Sequence, residues 1–453
     1  MSDHGSRRPR SALGLSRLTG LVLHTLGTKR DVLTALAIRA GSVLAGFAVT
    51  FLIGQRFGPA GNGQFALVSQ TAIFFAVVGL LGLDISVVRH FAKAVATGTK
   101  IRLAALLQVT GLGLGLMIAI SLALWLGGDW AWARLFGDTV PRELLLVLCV
   151  LVIGRGGTSL FGGMLRSQHR FTLGQLIASL TIPLTTVLAL VSGLAASLND
   201  ILWATAWGGL GSMLIGAVAM GRHVGQGPQA LAVPLRPVLS SALPLWGVGM
   251  AMHVGDWYGL AVAAQMLGAA DAGLYRVAVQ LATTLQIVSV ALFSVYSAKI
   301  STAFHGGDMR QVAMLARSAV RMSTAASLPL VLALIIGSEF VLGQIGPEFT
   351  PALPIVFILI AGQVAQTVTG PCGLVLAMSG HERINLAITL TSTALLLACV
   401  PAAAWLAGLP GIAVCVSVLM LLRNLAAYVI VRRRLGISIW AGRAHGITKE
   451  TQA

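Results

Sequence analysis

Charge is scarce in this chain. Asp, Glu, Lys and Arg make up 10% of its 453 residues, where a soluble domain carries about 25%. Hydrophobic residues make up 56% and the mean hydropathy is +0.87, so the chain cannot clothe itself for water. Short alternating segments are also missing, which excludes a lipid-facing β-barrel. Cys149, Cys372, Cys399 and Cys415 lie singly in apolar runs, with no CxxC pair. They read as packing residues rather than a disulfide or metal framework. No Walker A loop, HExxH helix or GxSxG elbow occurs, and Gly111, Gly113 and Gly115 stand inside an apolar run instead of after a strand. Nucleotide-binding and hydrolase readings therefore lose their motifs. The acids, 14 against 31 Lys and Arg, are too scattered for the metal site of a glycosyltransferase. No sequence feature assigns an enzyme, a metal or a cofactor.

What remains is a long series of apolar runs, the signature of an all-α polytopic membrane protein. Twelve spans fit: 32–55, 63–84, 103–127, 143–165, 171–196, 200–221, 238–266, 272–298, 313–337, 351–378, 384–407 and 411–431. Alternate connections are basic. One set holds Arg89, Lys93, Lys100 and Arg102, then Arg166 and Arg170, Arg222 and Arg236, Lys299, Arg310 and Arg317, Arg383, and Arg432-Arg433-Arg434. The other set holds Asp129, Asp138, Asn199-Asp200, Asp271, Glu339 and Glu348. The positive-inside rule places the first set and both termini in the cytosol. It also explains the formal net charge of +17 as topology rather than nucleic-acid binding.

Gly58-Pro-Ala-Gly-Asn-Gly-Gln-Phe65 returns 210 positions later as Gly268-Ala-Ala-Asp-Ala-Gly-Leu-Tyr275, with Gln70 matched by Gln280. Ser167-Gln-His169 similarly answers Ser379-Gly-His381. The offsets imply two parallel six-helix lobes. The expected organisation is a basic cytosolic arm over 1–30, an N-terminal lobe over 31–222 and a linker over 223–237. A C-terminal lobe over 238–432 and a basic cytosolic tail over 433–453 complete it. Leu15, Leu18, Val22 and Leu26 in the arm recur at the spacing of a helix lying on the membrane surface. Intraspan glycines read as close helix packing. Pro183, Pro244, Pro329, Pro371 and Pro401 read as bends that either hinge or simply fit.

Charges inside spans are the sharpest functional signal. Arg155 lies about 20 Å beyond Arg142 and about 16 Å short of Arg166 at 1.5 Å per residue, near the middle of a core about 30 Å thick. It either faces a substrate or bonds helix carbonyls. Arg39 and Arg423 are also inside spans and either line the same cavity, reach the headgroups or pack. Asp256 is the carboxylate inside the seventh span, with His253 one turn away. The pair either couples an ion or makes a structural contact. Asp84 and Arg89 fit a local ion pair or gate at a cytosolic helix end, and Arg276 opens the eighth span as an interfacial residue. The interior balance of Arg39, Arg155 and Arg423 against Asp256 suits an anion, because guanidinium bonds phosphate oxygens bidentately.

The chain resembles the polysaccharide flippase family, grouped with the lipid II flippases and the multidrug and toxic compound extrusion (MATE) proteins. The resemblance covers about 31–432 and rests on Arg39-Ala-Gly-Ser, Phe57-Gly-Pro-Ala-Gly-Asn-Gly-Gln-Phe65 and Gly79-Leu-Leu-Gly-Leu-Asp84 with Arg89. In the second lobe it rests on Asp256 followed by Leu267-Gly-Ala-Ala-Asp-Ala-Gly-Leu-Tyr275. After Asp256 this chain continues Trp257-Tyr258, where the family pattern has Asp-Arg. The resemblance implies transport of an undecaprenyl-pyrophosphate-linked oligosaccharide from the cytosolic to the periplasmic leaflet of the bacterial inner membrane. It implies a cationic central cavity, onto which Arg39 and Arg155 map by span, and partners in the lipid-linked glycan, membrane lipids, a polysaccharide polymerase and export machinery. Asp256 would then carry a coupling H+ or Na+. Two alternatives stand: an exporter of smaller solutes on the same fold, and a membrane enzyme such as a polymerase, against which the short outer loops count.

Overall fold

In lipid every backbone N–H and C=O must be satisfied within the chain, so spanning segments of this composition fold as helices. The computed structural model describes residues 12–136, 141–193, 195–225, 230–231, 233–370, 372–379 and 381–437. Asp138, Pro371, the first part of the basic arm and most of the basic tail fall outside those residues. The helices are α1 (Ala12–Leu80), α2 (Leu83–Ala96), α3 (Leu103–Phe136), α4 (Arg142–Ser167), α5 (Phe171–Gln175), α6 (Thr181–Val191) and α7 (Leu198–Gly221). They continue as α8 (Leu235–Met266), α9 (Ala269–Thr283), α10 (Gln286–His305), α11 (Met309–Ile345), α12 (Leu353–Thr369), α13 (Cys372–Met378) and α14 (Glu382–Leu435). A π-helical turn at Leu176–Leu180 joins α5 to α6, and a 3-10 turn at Pro347–Ala352 leads into α12.

Among the described residues, eight segments are long and apolar enough to cross a membrane, and nine if bent α8 is one span. Two of these hold a pair of spans each, because α1 breaks at Gly58 and α14 breaks at Ala407–Gly408. With α9 and α10 as the eighth, the total is the expected twelve. Side chains such as Ile336 (80% exposed) and Trp405 (79%) stand on the outer surface, as helices solvated by lipid require.

The repeat seen in the sequence is a repeat of conformation. Gly58 (φ 65°, ψ −170°) ends the first span, and its counterpart Gly268 (φ 103°, ψ 170°) ends the seventh. Both adopt a φ that an L side chain resists. The following helices then meet each other. A Cβ on Gly63 would collide with the Ala269 carbonyl, and one on Gly273 would collide with the Pro59 carbonyl. Two backbones approach at this end of the bundle because both motifs lack side chains there. Gln55 Nε2 adds a hydrogen bond to Gln344 O at 2.8 Å.

The core divides in three. One cluster fills the first lobe, from Val49 to Leu202 and Met220, and takes in Val238 and Ala242 at the start of α8. A second joins the later helices around Phe349 and Ile355 and includes Ala66, with Phe47 and Phe51 of α1 packed on it. A third, around Ile300, Val312, Val375 and Val431, holds only residues after 290. The second lobe thus packs on the first at the glycine end, whereas α10 and α13 at the basic end keep a core of their own.

The linker was expected as a simple connection over 223–237. Instead β1 (Ile101–Arg102) and β2 (Val224–Gly225) pair in parallel, with a further bridge from Ile101 to Leu231. Helix α8 then bends by 49° between Leu235–Pro244 and Gly249–Met266. Ser86 Oγ donates to Val238 O at 2.7 Å and lies 2.7 Å from Ser241 Oγ, and His90 Nε2 lies 3.0 Å from the same hydroxyl. The first leg of α8 is therefore held by the first lobe. Pro183 shows how another bend is satisfied. It has no N–H for the carbonyl four residues back, and Ser42 Oγ of α1 donates to that carbonyl, Ser179 O, at 2.8 Å.

Candidate functional site

The site grows from α4, the most enclosed span. Gly154 lets it lie on the backbone of Gly209 in α7, Gly156 lies against Met117 of α3, and Gly157 lies against Met213. Small residues thus bring helices against α4 on several sides. The side chain set among them, Arg155, projects into a cavity between the lobes. This N-lobe chamber has a volume of about 250 Å³ and is lined also by Asp84, Thr158, Ser159, Trp246 and His253. The second chamber, of about 310 Å³, lies on the C-lobe side and holds Asp256, Trp257, Arg276 and three glutamines. Ile73 and His253 line both chambers.

Arg155 is the electrostatic anomaly. Its Nε is fully buried without a hydrogen-bond partner among the described residues, and the nearby charge acting on it is that of Arg276, from the other lobe. Two guanidinium groups that line adjoining chambers from opposite lobes are what an oligoanion reaching both would neutralise. Arg276 is partly held by Gln280, whose Oε1 accepts from Nη2 at 3.1 Å. The charge of Asp256 reaches both Arg276 and Arg423.

His253 Nδ1 lies 2.9 Å from Gly249 O. A carbonyl can only accept, so Nδ1 carries the proton in this contact. Asp256 opens onto the C-lobe chamber. Asp84 lies at the start of α2 after Leu81 (φ 48°) and Gly82 (φ 75°). Its charged neighbour is Arg166 of α4, whereas Arg89, the neighbour expected from the sequence, points outward on α2 and is exposed.

Of the expected residues, Arg155, Asp256, His253 and Asp84 line the cavity. Arg423 stands behind Asp256 on α14, half-buried, and lines neither chamber. Arg39 is exposed on α1 and lines neither chamber. Arg276, expected at the interface, instead lies two turns into α9 and lines the C-lobe chamber. Its signal was available: it stands four residues before Gln280, the match of Gln70, on a helix that starts at Gly268. Among the described residues, no group of three His, Cys, Asp or Glu could hold a metal ion.

Comparison with known proteins bears on this arrangement. An inward-facing multidrug resistance MATE family transporter of the MOP superfamily superposes with a TM-score of 0.67 at 13% identity, covering 89% of this chain and 98% of that one. An outward-facing MATE family transporter gives 0.63 at 14%, covering 90% and 95%. A MOP superfamily transporter from Pyrococcus furiosus, described as having a binding pocket of reverse polarity, gives 0.59 at 14%, again covering 90% and 95%. These likenesses carry the fold: twelve membrane-spanning helices in two lobes. No curated protein sequence matches the chain. The family described as "Polysaccharide biosynthesis protein" matches residues 29–297, more than half of the sequence, and this multi-pass membrane protein belongs to that family.

Proposed function

We propose that the protein is a flippase that moves a diphosphate-linked lipid oligosaccharide, of the undecaprenyl type, from the cytosolic to the periplasmic leaflet of the bacterial inner membrane. The observation that carries this reading is Arg155, whose buried Nε has no hydrogen-bond partner among the described residues and which lines one chamber while Arg276 lines the adjoining one from the other lobe. The diphosphate binds between these two arginines, and the lipid tail stays in the bilayer. The basic end of the bundle faces the cytosol with both termini, following the positive-inside rule. The glycine end, closed by the approach of Gly63 and Gly273, faces the periplasm, so the cavity opens inward. The lobes are residues 31–222 and 238–432, and they rock about the fixed site. Asp256 carries the coupling H+ or Na+, and a polymerase receives the product.

A smaller-solute exporter is the second reading. It is favoured by Asp256 opening among Phe74, Trp257 and Tyr275, a setting that suits an organic cation. Arg276 in the same wall opposes it.

The test is the leaflet in which the lipid-linked glycan resides in cells deleted for the protein. Retention at the cytosolic face, relieved by the unsubstituted chain and relieved about 10–100-fold more slowly by Arg155→Ala, is expected for loss of a charged hydrogen-bonding partner. Full relief by Arg155→Ala would return that residue to packing. Periplasmic glycan that remains unpolymerised in the deletion would replace the flippase with an enzyme.

A further inference from the structure

The two chambers differ in chemistry, and the difference divides the substrate. We infer that the C-lobe chamber is the glycan subsite, with Trp257, Gln70, Gln286 and Gln363 holding the sugar beside the diphosphate. The assignment rests on the flippase reading and adds where the sugar lies.

A sugar presents hydroxyls that both donate and accept, together with apolar C–H faces. A fitting site offers neutral donors, neutral acceptors and a flat aromatic surface, with few unopposed charges. The C-lobe chamber has these. Gln286 Nε2 donates to Gln363 Oε1 at 3.3 Å, which leaves Gln286 Oε1 as an acceptor and Gln363 Nε2 as a donor, side by side for neighbouring hydroxyls. Gln70 makes no hydrogen bond among the described residues and lines the same wall. Trp257 is fixed: its Nε1 donates to Thr71 Oγ1 at 3.0 Å, and its ring stacks on Phe74 at 4.9 Å and 20°. With its N–H already bonded, the rest of the indole contributes apolar surface. Asp256 can accept hydroxyls while Arg276 and Arg423 oppose its charge. The N-lobe chamber lacks glutamine and has Ile73, Ala76, Val77 and Leu80 around Arg155, while the charge of Asp84 in the same lining is opposed by Arg166, which suits a phosphate next to a lipid tail. At about 310 Å³ the C-lobe chamber falls at the lower edge of small-ligand sites, roughly 300–1,000 Å³.

The full-length protein in nanodiscs, titrated with undecaprenyl diphosphate and with the same lipid carrying a disaccharide, tests this. The sugar-bearing lipid binds more tightly. Trp257→Ala and Gln363→Leu each weaken that lipid by about tenfold or more, as loss of a buried contact or hydrogen bond to a polar ligand requires. Neither moves the affinity for the sugar-free lipid. Trp257→Phe, which keeps a ring, retains most of the preference and shows that the fold survives at this position. Arg155→Ala weakens both lipids alike. Equal weakening of both lipids by Trp257→Ala and Gln363→Leu overturns the assignment, as does an unsubstituted protein with no preference for the sugar. Displacement of the sugar-bearing lipid by ethidium, with binding abolished by Asp256→Asn, would make the chamber a cation site. Failure of the unsubstituted protein to bind either lipid overturns the flippase reading and this assignment with it.

Discussion

The two ends of the seam between the lobes are closed by different chemistry. At the glycine end, Gly63 and Gly273 bring backbone against backbone, with each carbonyl where the other glycine's Cβ would stand. At the basic end, the contact is a set of side-chain hydrogen bonds from Ser86 and His90 to the first leg of α8. That leg turns away from its own lobe at Pro244–Gly249, while α10 and α13 pack within a separate core. On the proposed alternating-access cycle, the glycine end is a contact between lobes that separates when the cavity opens outward. The basic-end contact is internal to a body made of the first lobe and the leg it carries. One contact sets an equilibrium, whereas the other sets only stability.

Filling the glycine end should have the largest effect. Gly273→Leu forces a side chain into the Pro59 carbonyl, and overpacking of this kind costs about 1–3 kcal/mol or more. The cost falls on the closed state alone, so by population arithmetic the equilibrium shifts outward by about 5–150-fold. Gln70→Cys places a reporter thiol on the cavity wall. Its labelling in intact cells by a membrane-impermeant maleimide should rise with Gly273→Leu, and transport should fall. Unchanged labelling would mean that this end does not gate the cavity.

The sequence made the closure at the glycine end only half legible. The repeat showed that Gly58 and Gly268 were equivalent, and the structure gives both a positive φ. That Gly63 and Gly273 touch follows from lobe packing, which no local pattern encodes. Span positions could be read because lipid imposes length and hydrophobicity on each helix. Side-chain direction was harder. Arg155 could be recognised by its depth, but Arg39, in an equally apolar run, proved exposed. Arg276 looked interfacial because its span was started at 272, although α9 starts at Ala269 and carries it inward. Asp84 was assigned to its near neighbour Arg89, while the nearby charge belongs to Arg166, brought close by the packing of α2 on α4. Linker 223–237 was read from Gly225, Gly227, Pro228, Pro234 and Pro237, which mark a connection but carry no signal for its pairing with Ile101–Arg102.

A smaller effect is expected at the bend itself. A Cβ on Gly247 or Gly249 would meet nothing within 4 Å, so these glycines are not there for packing. Their contribution is conformational: glycine weakens a helix by about 0.5–1 kcal/mol relative to alanine. The double substitution Gly247→Ala with Gly249→Ala should leave the thermal midpoint equal or slightly higher while slowing transport several-fold. A loss of midpoint would instead show that the two positions are sterically occupied in another state of the cycle, and would weaken the case for a hinge.

The smallest effect belongs to Ser241→Ala, and its value lies in what it should leave alone. The hydroxyl links Ser86 and His90 to the first leg of α8. Ser86 keeps its bond to the Val238 carbonyl when Ser241 is truncated, so the two bonds to Ser86 and His90 are at stake, about 1 kcal/mol each. If the leg moves with the first lobe throughout the cycle, the inward and outward states lose that energy equally. The thermal midpoint then falls slightly, while maleimide labelling of Gln70→Cys stays where it is in the unsubstituted background. If Ser241→Ala shifts labelling as Gly273→Leu does, these bonds are broken during transport. The basic end would then be a second gate, and the contrast between the two ends would collapse.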